Sequence, residues 1–239
     1  MAKGPKTQPP EHSPEAEQWS VVVVGSFNPA IFHPAWFLER GLISSEIYDE
    51  SEVVVVRPEV SEMNLGPFEF QCARGRLQVM INEPTEHAPL LDLILGVLTL
   101  LPETPVWAAG MNHQRHFKAA NEDRWNALGD ALVPKEPWQD VLNSPGMRAL
   151  SMIGKRDDEF HGYIAAQVEP SVLIRPGVFV AVNDHVQTTL LDPTASKSIE
   201  EFPIAEKTDL PLIAGALKGG WEAAQLRSDA IITKVASLL

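Results

Sequence analysis

Apolar residues along this chain fall into three kinds of run. Val21–Val24 and Val53–Val56 are unbroken blocks of four valines. Blocks of this kind predict short strands buried on both faces. A second kind alternates. Phe68, Phe70 and Cys72 are interleaved with Glu69 and Gln71, and Leu77, Val79 and Ile81 with Gln78 and Met80. With Arg74-Gly75 between them, these segments predict a β-hairpin. Strand-like segments follow at Pro105–Met111, Arg148–Ile153, Tyr163–Val168 and Val178–Val182.

The third kind has helical spacing. Pro34–Arg40 predicts a short helix stopped by Gly41. Pro89–Leu101 is apolar nearly all round, which predicts a helix packed deep against a sheet. Glu122–Leu132 carries Trp125, Leu128 and Leu132 on one face. The last helix, Pro211–Leu238, carries Leu217, Trp221, Ala224, Ser228, Ile231, Val235 and Leu238 at alternating steps of four and three. Such a stripe serves either a sheet beneath the helix or a partner helix; Leu217, Trp221, Ile231, Val235 and Leu238 are its interface candidates.

These elements predict an α+β fold. A unit of strand, helix, three strands and helix occurs twice, with a mostly antiparallel sheet and helices packed on one side. Residues 1–18 read as a disordered tail, and 19–239 as a single domain made of two similar halves, 19–103 and 104–239. The loops after the two first strands, in "VVVVGSFNPAIFHPAWFLERGL" and "VWAAGMNHQRHFKAANEDRWNALGDAL", echo each other. The element order is similar to that of the TATA-binding-protein-like fold class, a likeness that implies architecture only.

Charge narrows the partners. The net charge of -13 gives a sequence pI near 4.9, whereas binding a phosphate backbone needs a basic face. No nucleic-acid partner is expected. Cys72 is the only cysteine, so neither an internal disulfide nor a cysteine zinc site is expected. The longest apolar run, Ala88–Pro102, contains Asp92 and is too short to span a bilayer. The chain is expected to be soluble and cytoplasmic, with no membrane partner and no cofactor.

One motif points towards chemistry. Gly25-Ser26-Phe27-Asn28-Pro29 resembles the phosphate-facing turn of nucleotidylyltransferases, in which glycine lets the backbone approach phosphate and histidines open the next helix. The resemblance stops there. The family's His/Thr-x-x-His would begin at Ile31 and end at Pro34, and His33 is one place off. His113 and His116, three apart, have metal-ligand types if helical. Asp184 and His185 stand at the end of a later strand. Cys72 reads as a core residue. The stretch Glu46–Glu62 holds six acids against Arg57, a net of -5, which suits a solvated loop or a dock for a basic partner.

The expected function is therefore protein–protein interaction or assembly, with a protein partner or a second copy and no catalytic centre. The alternative is an enzyme or small-molecule-binding protein. Its pocket would lie at the loops after strands 21–24 and 105–111, lined by Asn28, His33, Asn112, His113, Asp184 and His185.

Overall fold

The valine block belongs to a longer strand than its apolar residues predict. In the computed structural model, which describes residues 13–82, 88–189 and 208–239, β1 spans Ala16–Gly25. Upstream of the valines, Glu17 and Trp19 alternate with Gln18 and Ser20, so the period-2 pattern continues into polar sequence. Ala16–Gln18 thus lie in a strand where a tail was expected, and residues 1–12 lie outside the described residues. The Asn28-Pro29 turn forms a 3-10 turn at Pro29–Ile31, followed by α1 (Pro34–Glu39) and α2 (Ser45–Asp49).

The second valine block corrects its expectation. β2 (Glu52–Val56) is an exposed terminal strand, with Val54 62% accessible, and is not buried on both faces. A β-branched run suits either setting, and among the described residues no strand pairs its outer side. β3 (Val60–Leu65) was not anticipated. Only Met63 and Leu65 among its inward residues are apolar; the third, Ser61, is buried with its hydroxyl donating to Phe32 O (2.9 Å). β4 (Phe68–Ala73) and β5 (Arg76–Ile81) form the expected hairpin, with Phe70 opposite Val79 and Cys72 opposite Leu77. The first half therefore has four strands after its first helices, where three were expected. α3 (Ala88–Leu100) follows.

β6 (Val106–Lys118) is the second departure. The strand-like segment expected at Pro105–Met111, with a loop after it, instead runs on past Gly110 to Lys118. Both edges of β6 are paired, with β1 on one side and β9 on the other, and those ladders outweigh the local preference of one glycine. α4 (Glu122–Leu132), β7 (Leu150–Lys155), β8 (His161–Pro170), β9 (Gly177–Gln187) and α5 (Leu210–Ala236) complete the order. Residues 190–207, ahead of α5, lie outside the described residues.

The nine strands of the described residues form one antiparallel sheet in the order β2-β3-β4-β5-β1-β6-β9-β8-β7. β1 and β6 sit at the centre, where the whole of β1 pairs with Val106–His116 of β6. Alternate residues on one side of the sheet (Trp19, Val21, Val23, Leu77, Val79, Met111) join α3 and the first half of α5 in one apolar cluster. A second cluster gathers Phe117, Val168, Val178, Val180, Leu128 and the last turns of α5. Among the described residues, no helix is long and apolar enough to cross a membrane.

Candidate functional site

The expected pocket residues separate into three places. Asn28 and His33 cap helical turns: Asn28 Oδ1 accepts from Ala30 N and His33 Nδ1 from Ala35 N, each at 3.3 Å. Both are exposed. The glycine ahead of them has a structural use. A Cβ on Gly25 would stand 2.5 Å from Pro105 O, while Ser26 N donates to that same carbonyl (2.8 Å). The glycine admits a neighbouring backbone, and the likeness to a phosphate turn follows from that need.

His113 and Asp184 lie on the face of the sheet that meets α5, in two ionic clusters. Strand parity fixes this, since His113 shares its side with Met111 and Asp184 stands opposite Met111. His113 is fully buried, stacked on Trp19 with ring centroids 3.7 Å apart and planes at 15°. The Glu17 carboxylate can only accept, so His113 Nε2 donates to it (2.7 Å). Ser228 Oγ lies 3.1 Å from His113 Nδ1 and donates to Gln225 O (2.9 Å). Arg115 bridges Glu17 and Asp229 at 2.9 Å each. Burial alone would raise the Glu17 carboxyl, but the hydrogen bonds from His113 and Arg115 win and hold it at about 2. Burial also pushes His113 below its ordinary value, favouring the neutral ring despite Glu17.

The second cluster surrounds Asp184. Arg227 donates Nε and Nη2 to Asp184 Oδ2 (2.9 and 2.7 Å). Arg156 also bonds Asp184, and reaches Asp158 Oδ1 through Nε (2.8 Å) and His185 O through Nη1 (3.1 Å). Three consecutive residues of α5 therefore serve both clusters, Arg227 on one side and Ser228 and Asp229 on the other. Ser228, His113 and Glu17 have the residue types of a nucleophile, base and acid. Yet Ser228 and His113 are buried side chains under α5, and a nucleophile needs an approach for its substrate.

His113 and His116 sit on opposite faces of β6, because an odd step in a strand reverses direction. They do not share a face as they would in a helix. Among the described residues, no three His, Cys, Asp or Glu side chains are placed to hold a metal ion.

Asn112 and His185 do come together, on the other face of the sheet. With Ser20, Gln78, Gly110, Asn183 and Tyr163 they line a concavity of about 510 Å³. His185 stacks on Tyr163 (4.6 Å, 26°), and burial pushes its ring below its ordinary value. This trough lies across the middle of the strands. It is not at the loops where a pocket was expected. Its amides were legible as period-2 polar residues in Gln18–Ser20, Asn112–Gln114 and Asn183, once β6 and β9 are read as long strands.

The α5 stripe is used internally. Leu217 and Trp221 belong to the first core cluster, and Ile231, Val235 and Leu238 pack on the second. No protein-family model matches this sequence, and no curated protein is similar to it.

Proposed function

We propose that this is an assembly protein without a catalytic centre of its own, and that it joins copies of itself head to tail by extending its sheet. In this reading the chain is two copies of one unit, the first with one strand more than the second, joined at β1–β6 with its helices gathered on one side. β2 and β7 are then the outermost strands of the two units. The observation that carries the proposal is the apolar character of both terminal strands. Val53 and Val54 in β2 are 43% and 62% exposed, and Met152 and Ile153 in β7 are 60% and 48% exposed. Unpaired edges of this kind recruit another strand, and proteins that stay single guard against it with charge.

Charge favours unlike edges over like ones. Glu50 and Glu52 stand at the start of β2 with Arg57 beyond its end, whereas Arg148 and Lys155 bracket β7, all five exposed. Trp138 and Leu142 stand beside Met147–Ala149, the approach to β7, and widen the apolar surface there. A register shift between Val53 and Val55 bends the β2 edge, so successive copies meet at an angle. Contacts between unlike edges close into rings or grow as filaments. Lone Cys72 suits work in a reducing cytoplasm.

Light scattering at increasing concentration tests this. The wild-type chain is expected to gain mass with concentration and lose it with added salt. Val54→Lys and Ile153→Lys should each be monomeric alone, and their mixture should stop at a one-to-one dimer, since each retains one working edge. A wild-type monomer at every concentration overturns the proposal. A Val54→Lys dimer also overturns it, in favour of two-fold pairing between β7 strands.

A further inference from the structure

The trough on the open face has a built floor. Small residues occupy its centre. Gly110 lies between Val22 of β1 and His185 of β9, and one row along, Ser20, Asn112, Asn183 and Ala165 stand side by side. Asn183 leans over Gly110, where a Cβ would come within 2.9 Å of its Oδ1. Gln78, on β5, forms a wall two strands from Gly110, about 10 Å across. Gln78 is only 9% exposed.

Two of these groups are unsatisfied. Gln78 Oε1 and Asn183 Oδ1 are buried and have no hydrogen-bond partner among the described residues. A buried amide oxygen without a donor is costly, so such groups call for an explanation. Their neighbours are satisfied: Gln18 donates to Asn82 Oδ1 (2.7 Å), Gln114 donates to Gln18 Oε1, and Asn112 donates to Gly110 O (3.4 Å). The unsatisfied oxygens are therefore confined to the two sides of the glycine gap. The lining is almost free of charge. Arg76 stands at its margin, and among the described residues no carboxylate lines it.

We propose that this trough binds a small uncharged ligand rich in hydrogen-bond donors, whose N–H or O–H groups fall to Gln78 Oε1 and Asn183 Oδ1. Primary amides also offer N–H donors, so the matching ligand presents donor and acceptor side by side, as sugar hydroxyls and nucleobase edges do. The stacked Tyr163 and His185 close one end with an apolar surface. Excess negative charge on the chain and a neutral floor disfavour a phosphorylated ligand.

Titrating the full 15N-labelled chain with two panels, neutral hexoses and disaccharides in one and the four ribonucleosides in the other, tests the site. One panel is expected to shift the side-chain amide resonances of Gln78 and Asn183 in a saturable way at millimolar concentration. The panel that does so names the source. If nucleosides bind, the nucleoside monophosphates should bind no more tightly. Gln78→Ala is expected to weaken binding about tenfold, the effect of one lost hydrogen bond of ~1.4 kcal/mol. Gly110→Ala should weaken it by displacing Asn183, with thermal melting confirming that both variants fold. Silence from both panels overturns the proposal, as do shifts that survive both substitutions in folded protein. Neither result bears on the strand edges.

Discussion

Trp19 lies flat on His113, and that stacking carries the edge of a buried ionic group across the central strand pair. Beyond the ring, Glu17 and Arg115 tie β1 to β6, and Ser228 and Asp229 tie β6 to α5.

This arrangement makes stability fall on the acid side. Glu17 is held at about 2 against an ordinary 4.5, so its contribution is complete above pH 4.5 and is lost as pH falls towards 2. His113 is pushed below its ordinary 6.5. The unfolded chain therefore takes up that proton first, and stability begins to drop as pH falls through 6.5. Both effects have one sign. Urea unfolding across pH 8 to 3 should show a loss that begins near pH 6.5 and deepens below 4.5, with the Glu17 part reaching roughly 2 kcal/mol by pH 3. Glu17→Gln should lower stability at pH 7 and flatten the limb below pH 4.5. A variant as steep as wild type there would refute this account.

Asp184 should be among the most sensitive polar positions. It is buried and takes hydrogen bonds from Arg156 and Arg227, and the Arg156 side chain is almost wholly buried too. Asp184→Ala leaves that guanidinium short of a partner and is expected to cost about 3–5 kcal/mol. Arg227→Ala removes a more accessible partner and should cost less. Equal losses in denaturant titrations would count against this ordering.

The two glycines of the first turn region should respond differently. Gly25→Ala sets a methyl against Pro105 O and is expected to destabilise by about 1–3 kcal/mol. Gly75, with open space where a Cβ would go, should accept alanine within about 0.5 kcal/mol. If Gly25→Ala were neutral, the structural explanation for the glycine in Gly-Ser-Phe-Asn-Pro would fail.

α5 should behave as core and not as a detachable interface. Leu217→Ala is expected to cost about 2–5 kcal/mol, and Leu226→Ser, at a position 66% exposed, almost nothing. Calorimetry of both variants at a fixed concentration checks this. A Leu217→Ala chain with wild-type stability and altered mass would assign the stripe to a partner instead.

Cys72 should be chemically silent. Burial pushes its thiol up to about 12, which leaves little thiolate at pH 8. Alkylation by iodoacetamide is expected to proceed only as fast as the protein opens, and fast modification of the native chain would contradict this placement.

Elements with a strong period were legible in the sequence. The Phe68–Cys72 and Leu77–Ile81 hairpin alternates cleanly, and the α4 and α5 stripes repeat over several turns. β3 was missed because a buried serine takes an inward place, its hydrogen bond to Phe32 O being invisible locally. β6 was cut short because Gly110 signals a turn by itself, whereas its two flanking strands come from segments far away in the chain. The same distance hid the ionic clusters. Arg156 reads as part of a charged hairpin turn, and only the return of α5 brings Arg227 to Asp184. Of the six expected pocket residues, Asn112 and His185 alone share the trough.

The central pairing also orders events in time. β3, β4 and β5 are joined by short turns, as are β7, β8 and β9, so each half of the sheet can begin from neighbours. The β1–β6 ladder instead joins Glu17 to Arg115 and Trp19 to His113, partners more than ninety residues apart. Its closure entropy must be met before any of its contacts form. The ladder that holds the molecule together is thus the part that the growing chain completes late.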